Sequence, residues 1–219
     1  MNSAHISWST PDIDKTIAKI ARVSNPQNQT NSEYKKLLEY MLRCGHVSPF
    51  EMANVCMEIN TTRDIARQIL RHRSFSFQEF SQRYQTVEAL GQLDITREPR
   101  LQDNKNRQNS IKLDYANDRE RILATQWEIR IKSFAEQAQQ HYEWAISQGI
   151  AKEQARALLP EGLTPSRMYM NGTIRSWIFY LKQRLDPSTQ KEHRLVAECV
   201  LRELRHVAPI TISAFFPDN

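Results

Sequence analysis

A single long run of helical periodicity, from Leu113 to Gly149, dominates the middle of this chain. Large apolar side chains recur there at the spacing of one helix face, which predicts one long helix or two consecutive helices. The side chains that anchor this pattern are Ile122, Leu123, Trp127, Ile131, Phe134, Ala138, Tyr142 and Ala145. In a chain of 219 residues, a helix of this length often packs against another subunit, so we expect long helices at subunit interfaces.

Shorter periodic segments surround this run and predict a helix-rich α+β fold. Helical spacing recurs over Pro11–Val23 (with Pro11 at the first helical position), Leu37–Gly45, Thr62–Leu70, 151–159, Ile174–Leu185 and Ser188–His206. Alternation predicts strands at Val55–Ile59 and 167–171, and a loop leading into a strand over 74–84. The polar residues 97–110 predict a solvated loop. We expect one domain over residues 1–219, with a small, mostly antiparallel sheet.

Composition narrows the classes of function. There are 5 glycines and no G-x-G-x-x-G or Walker A pattern, so a Rossmann or P-loop nucleotide site is unsupported. Cys44, Cys56 and Cys199 lack C-x-x-C spacing, and we expect reduced, buried thiols with neither a disulfide framework nor a metal site. No signal pattern or apolar run of the roughly 20 residues needed for a membrane span is present. These features predict a cytoplasmic protein without membrane contact.

Cationic side chains are concentrated between residues 63 and 84. Arg71, His72 and Arg73 stand in a row, and Arg83 follows with Ser81 close by. Guanidinium groups bind phosphate through two parallel hydrogen bonds, and the net charge of +5 favours an anionic partner. Arg63, Arg67 and Arg71 lie four residues apart, where like charges repel. They form either a solvated face with acidic partners elsewhere or an anion site, and the neighbouring cations favour the anion site.

A second group of arginines, Arg156, Arg175 and Arg184, lies nearer the C-terminus. Arg175 shares a helix face with apolar residues, so its side chain must be paired or bound to a ligand. Ser81 lies nine residues from His72, but there is no elbow glycine and no Ser-His-Asp order. The residues alone therefore predict that Ser81 binds a phosphate or a base rather than attacking as a nucleophile.

The segment from Arg71 to Tyr84 resembles the signature of flavin-dependent thymidylate synthases, an Arg-His-Arg triplet followed after seven residues by Ser and then by Arg-Tyr. Other blocks similar to that family occur in the family's order. They are His46 with Ser48-Pro49-Phe50-Glu51, Gln68, residues 100–110, Ala155-Arg156 through Pro160, Arg175-Ser176, and Arg184 with Gln190-Lys191-Glu192. The resemblance thus spans residues 46 to 192.

The resemblance implies a reductive methylation of deoxyuridine monophosphate (dUMP) to thymidine monophosphate (dTMP). Methylenetetrahydrofolate would supply the carbon, and flavin adenine dinucleotide (FAD), reduced by NADPH, would supply the hydride. It also implies a homotetramer whose active sites are shared between subunits, with neither a metal nor a nucleic acid as partner.

The resemblance assigns roles by position. Flavin contacts would come from Ser48, Arg71, His72, Arg73, Gln78, Glu79 and Arg175. Nucleotide contacts would come from Gln68, Arg71, Glu79, Ser81, Arg83, Arg156 and Arg184. Arg184 and Ser81 would be catalytic, and a guanidinium at the uracil edge would stabilise the negative charge that develops there.

Three positions depart from the family pattern, and two other functions remain open. Met52 and Phe179 replace polar residues common in the family, and Thr173 stands where asparagine is common, which removes implied contacts on the flavin or folate side. One alternative is a basic helical module that binds RNA or polyphosphate without catalysis, although no RRM, KH or helix-turn-helix pattern occurs. The other is a flavoprotein of the same fold that has lost methyl transfer.

Overall fold

A computed structural model describes residues 2–217, so Met1, Asp218 and Asn219 lie outside the described part of the chain. The strands are β1 Ser3–Ser9, β2 Asn54–Thr62, β3 Ser76–Glu79, β4 Arg100–Gln102, β5 Ser110–Lys112 and β6 Pro165–Thr173. The helices are α1 Ile13–Ala21, α2 Lys35–Arg43, α3 Arg63–Ile69, α4 Asp118–Ser147, α5 Lys152–Ala155, α6 Ile174–Arg184, α7 Lys191–Val207 and α8 Pro209–Phe215. That residues 1–219 form one domain stays a prediction.

Four strands form an antiparallel sheet in the order β1-β2-β6-β3. Met170 of β6 lies opposite Met57 of β2 and Phe77 of β3, so β6 is the central strand beside the signature segment. The predicted class, helix-rich α+β with a small antiparallel sheet, is confirmed. Within residues 2–217, no helix combines the length and the apolar character that a bilayer span requires.

The two central strands lead directly into helices, and this connection builds the site. β2 continues into α3 and β6 continues into α6. The side chain of Thr173 accepts a hydrogen bond from the backbone N–H of Ser176 and so caps α6. Buried Trp177 of α6 donates its indole N–H to the carbonyl of Val55 at 3.1 Å. Because β2 and β6 are antiparallel, with Thr62 opposite Pro165 and Asn54 opposite Thr173, the two helices start from opposite ends of the sheet. Their far ends meet where Arg184 contacts His72.

The signature segment is fixed to β6 by a close approach at Gly172. Its backbone lies against the ring of Phe75, so that a Cβ at position 172 would overlap the ring carbons. Phe75 in turn packs against Trp177 with 4.7 Å between ring centroids. The backbone of Gly172 is not in the left-handed conformation, so conformational freedom does not explain this glycine. A glycine is required here because of the contact with Phe75.

Several predicted elements have other bounds in the structure. Pro11 precedes the N-cap residue Asp12 and is therefore not the first helical residue of α1. Residues 97–110 were expected as a solvated loop, but β4 and β5 pair there as an antiparallel hairpin. β1 and α8 were not predicted. The thiols were expected to be buried, yet Cys44 is exposed and only Cys56 is buried, and all three are free.

α4 is one helix of 30 residues rather than two, and it begins at Asp118 rather than Leu113. Its buried face consists mainly of Ala124, Ile131, Ala135, Ala138, Tyr142 and Ala145. Four predicted anchors, Ile122, Leu123, Trp127 and Phe134, are instead exposed on this chain. The helical period was therefore predicted correctly, but the buried face was only partly identified.

Candidate active site

The junction of α3, α6 and α7 holds a polar cluster of Gln68, His72, Arg184 and His193, referred to below as the His72 cluster. Arg184, the last residue of α6, donates its Nε–H to Nε2 of His72 at 2.9 Å. Because Nε2 accepts this bond, the ring is neutral and its proton lies on Nδ1. Burial, with the charges of Arg184 and Arg71, lowers the pKa of His72 to about 4.

His193 lies beneath this pair and was not predicted as a site residue. It is fully buried, and its Nδ1 is 3.1 Å from Oε1 of Gln68. Burial, together with Arg184 and His72, lowers the pKa of His193 to about 3, so this ring is also neutral near pH 7. It follows α7's apolar spacing with Val196, Ala197 and Val200, and a histidine on that face was the signal available in the sequence.

The charge of Arg184 has no acidic partner within the described chain. No salt bridge between residues 2 and 217 includes Arg71, Arg73 or Arg184. Burial lowers the pKa of Arg184, yet the guanidinium remains charged because an arginine loses its proton only in strongly basic solution. A partly buried, uncompensated cation is an arrangement suited to binding an anion.

A second, more exposed group contains Ser81, Arg83, Glu153 and Arg156, referred to below as the Arg83 cluster. Arg83 donates its Nε–H to Glu153 at 3.1 Å, and the two side chains are 65% and 48% exposed. Arg156 donates its Nε–H to the backbone carbonyl of Glu153 at 3.2 Å. The Ser81 hydroxyl accepts from the backbone N–H of Arg83 at 3.4 Å, and none of these contacts gives Ser81 a base.

Two of the three arginines spaced along α3 have acidic partners, as in the solvated-face alternative, and the anion site stays a prediction. Arg63 is buried and lies 3.9 Å from Glu79, which also accepts a 2.7 Å hydrogen bond from Ser166. Arg67 pairs with Glu161 at 3.4 Å. Only Arg71, just past the end of α3, is without an ion pair within the described residues. Gln78 is exposed on β3 next to Glu79.

A family model described as thymidylate synthase complementing protein matches residues 6–210. The chain belongs to this family. A flavin-dependent thymidylate synthase from Synechocystis is 50% identical over 181 residues, covering 83% of this chain and 79% of the relative. A probable flavin-dependent thymidylate synthase from Paramecium bursaria Chlorella virus 1 is 45% identical, covering 82% and 80%. The predicted family membership is confirmed.

A solved structure supports the same fold for this member of the thymidylate synthase complementing protein family. It is a UMP/dUMP methylase, PolB, from Streptomyces cacaoi bound with 5-Br dUMP. The TM-score is 0.79 at 26% identity, and the match covers 98% of this chain and 94% of that chain. The agreement in fold thus extends over nearly the whole of both chains.

The three departures from the family pattern lie around Arg175. This arginine pairs with Glu51 and lies over the ring of Phe179 at 5.6 Å. Thr173 caps α6, so the residue replacing asparagine has a structural role. Met52 is half exposed, next to the short helical turn Ser48–Glu51 that brings Ser48 to the same edge. The Nε of Arg175 is buried without a partner in the described chain, which leaves one donor unused.

Proposed function

We propose that the chain is a flavin-dependent thymidylate synthase that converts dUMP to dTMP. Methylenetetrahydrofolate would be the carbon donor, and NADPH would reduce the bound FAD. Family membership, the names of the two curated relatives and the nucleotide bound to the methylase support this proposal. The observation of this structure that carries it is the guanidinium of Arg184, which is held by neutral His72 and has no acidic partner in the described part of the chain.

Arg184 is the residue that we assign to catalysis. Its Nε–H is used by His72, while its two terminal nitrogens have no hydrogen-bond partner between residues 2 and 217. Those N–H groups are free to bind a uracil oxygen and to stabilise negative charge on the ring. Because the group is partly buried, this interaction is stronger than it would be in water. No enzyme thiol is required for this form of activation.

The nucleotide would be held from two sides. Gln68 and Arg71 would bind the base side together with Arg184, whereas Ser81, Arg83 and Arg156 would bind the phosphate. Glu79 would also contact the nucleotide. Ser81 would take part in catalysis through a direct hydrogen bond to the nucleotide. The described geometry supports positioning by these groups, which is a large source of rate acceleration.

The donor set also fits an anionic dinucleotide cofactor. Arg71 and Arg73 are exposed without acidic partners among residues 2–217, and the Nε of Arg175 is an unused buried donor. We propose that Arg71, Arg73 and Arg175 bind FAD phosphates and that Ser48, His72, Gln78 and Glu79 line the same pocket. When bound, the flavin supplies the hydride, and the protein residues orient it and exclude water.

We propose that α4 mediates assembly into a homotetramer. Its exposed apolar residues form two stripes, which at 100° per residue lie on different sides of the helix. One stripe contains Leu123, Trp127 and Phe134, and the other contains Ile122, Ile129 and Trp144. Two stripes favour contact with more than one partner. Trp127→Glu should lower the molar mass measured by light scattering, whereas Lys132→Glu on the same helix should not.

The activity is tested by purifying the protein and recording its flavin absorbance. We expect bound flavin, NADPH oxidation that rises with dUMP, and dTMP detected by mass spectrometry. UMP should be tested beside dUMP because the similar protein from Streptomyces cacaoi is described as a UMP/dUMP methylase. If the protein takes up no added FAD, the proposal is excluded. If such a protein also binds RNA, the alternative of a basic helical module that binds RNA or polyphosphate is favoured. Bound flavin without dTMP would favour the flavoprotein alternative. Location in the cytoplasm stays a prediction.

A further inference from the structure

We propose that His193 is a positioning residue that locks the side-chain amide of Gln68 in one orientation and thereby selects uracil over cytosine. This inference rests on the proposed function, in which Gln68 binds the nucleotide. It concerns a residue with no place in the signature segment, reached from a chain of hydrogen bonds that begins at Glu192.

The hydrogen bonds from Glu192 to His193 have a defined direction. A carboxylate only accepts, so the 2.9 Å contact of Glu192 requires that Gln190 turns its amide nitrogen toward it. The oxygen of Gln190 then faces Gln68 and accepts from the Gln68 amide nitrogen at 2.7 Å. The remaining Gln68 oxygen faces Nδ1 of His193 at 3.1 Å, so Nδ1 must carry a proton. One acidic group thus sets both amide orientations and one tautomer.

His193, at the other end of this series of hydrogen bonds, cannot reverse their direction. With its proton on Nδ1, His193 has an unprotonated Nε2, and this atom is buried without a partner in the described chain. Moving the proton to Nε2 would leave two acceptors, Nδ1 and the Gln68 oxygen, facing each other at 3.1 Å. Adding a second proton would bury a charge beside Arg184 and His72. The neutral Nδ1–H form is therefore the one that this packing accepts.

The acidic end is itself held against α3, the helix that carries Gln68. Glu192 lies 3.7 Å from Arg97, which binds Asp64 of α3 through two hydrogen bonds of 3.0 Å. Arg97 also donates to the carbonyl of Gly162 at 2.7 Å. The connection from Asp64 through Arg97, Glu192 and Gln190 to Gln68 closes a ring of side chains. These contacts hold the Glu192 carboxylate against α3.

A locked amide discriminates between pyrimidines. After its two internal bonds, Gln68 keeps one N–H and one oxygen lone pair for a ligand. Uracil presents a ring N–H beside a carbonyl, whereas cytosine presents an unprotonated ring nitrogen beside an amino group. A freely rotating amide can exchange its oxygen and nitrogen to match either base. An amide of fixed orientation matches only one of them in a given pose, and the mismatch leaves polar groups unpaired.

The test is the ratio of the dissociation constants of deoxycytidine monophosphate and dUMP for the FAD-loaded protein, measured by calorimetry. His193→Leu should lower that ratio by at least about tenfold, mostly through tighter binding of the cytosine nucleotide. His193→Asn keeps an N–H near the position of Nδ1 and should restore most of it. Glu192→Gln removes the group that only accepts, and it should lower the ratio without changing the buried core.

Glu198→Gln on the same helix makes the same change of charge at an exposed position and serves as the control. A ratio that stays at the wild-type value in both His193→Leu and Glu192→Gln would overturn the inference, even if dTMP were formed normally. Absence of dUMP binding and of dTMP formation by the wild-type protein would instead overturn the proposed function, and this inference with it. An equal weakening of both nucleotides in every variant would identify a merely structural role for His193.

Discussion

The His72 cluster and the Arg83 cluster are both built around arginine, but they differ in what balances the charge. Arg184 in the His72 cluster has a neutral imidazole as its partner and no acid among residues 2–217. Arg83 has the carboxylate of Glu153 and is mostly exposed. The first arginine is held ready for a ligand by groups that do not compete with one. The second already binds an internal anion, which the phosphate of the proposed substrate would have to displace.

This contrast has an energetic basis. An exposed ion pair contributes about 0–1 kcal/mol, so replacing Glu153 by a phosphate group costs little. Removing Arg184 has larger consequences, because Nε2 of the partly buried His72 would then lose the donor that it accepts from. The Arg83 cluster is therefore suited to exchange, and the His72 cluster is suited to preorganisation.

The largest expected effect is on turnover in the His72 cluster. Arg184→Ala should lower kcat by about 10²–10³, because a donor aimed at developing charge is lost. Flavin should remain bound, as measured by absorbance, since the proposed phosphate contacts of FAD come from other arginines. Arg43→Ala, an exposed arginine at the end of α2, should retain wild-type kcat. Unchanged turnover in Arg184→Ala would remove the catalytic assignment.

Stability should depend on pH through the same cluster. The folded-state pKa values are about 4 for His72 and about 3 for His193, below the ordinary value of 6.5. The unfolded chain therefore binds more protons from pH 6.5 down to about 4, and the free energy of unfolding should fall as the pH falls through that window. The slope is at most about 1.4 kcal/mol per pH unit for each histidine, and it declines as the pH rises above 6.5, where the unfolded histidines lose their protons.

Urea denaturation at several pH values would measure this slope. His193→Leu should reduce it, because one of the two groups no longer titrates. Arg83→Ala changes only the exposed cluster and should leave it as in the wild type. A slope that is equal in all three proteins would show that the buried histidines do not govern the acid sensitivity.

Arg83→Ala should raise the dissociation constant of dUMP by about tenfold. This is the free energy of one charge-assisted hydrogen bond to the phosphate, reduced by that of the Arg83–Glu153 pair that the phosphate replaces. Deoxyuridine is the matched ligand, because it lacks the phosphate and should bind both proteins equally. An equal loss for nucleoside and nucleotide would place Arg83 at the base or the fold rather than at the phosphate.

The smallest effect is expected from Glu153→Gln. Removing the internal competitor should tighten dUMP binding by up to about fivefold, and added salt should diminish the gain. Glu161→Gln, which releases Arg67 instead, is the control of equal charge. If both variants bind dUMP as the wild type does, Glu153 does not compete with the phosphate and the two clusters do not differ in this respect.

Much of the fold follows from local periodicity, but burial does not. The helical period of α4 identified the helix, yet Trp127 and Phe134 are exposed because an apolar side chain has the same period whether it packs on its own chain or on another. The hairpin of β4 and β5 was missed because each strand has only three residues, in which one apolar side chain, Leu101 or Ile111, stands between two polar ones. Alternation identifies a strand only over about four to eight residues.

The site residues that lie in charged sequence motifs could be predicted. Those that only the packing of distant segments brings together could not. Arg71, His72 and Arg184 were identified from the sequence, but their arrangement depends on the ends of two helices meeting. His193 is more than a hundred residues from His72, and its ring lies against the same tyrosine, Tyr180. Glu153 was missed for a similar reason, because an acid in a short helix carries no local sign of which arginine it will contact.

Gly172 has a hydrogen atom where other residues carry a Cβ, and this allows its backbone to lie against the ring of Phe75. A Cβ there would overlap the ring carbons of Phe75, so that the ring or the strand would have to shift. We therefore expect substitutions of Gly172 to be tolerated less well than substitutions of the exposed arginines. A laboratory search for altered nucleotide preference would do best to leave this strand untouched and to diversify the residues around Gln68.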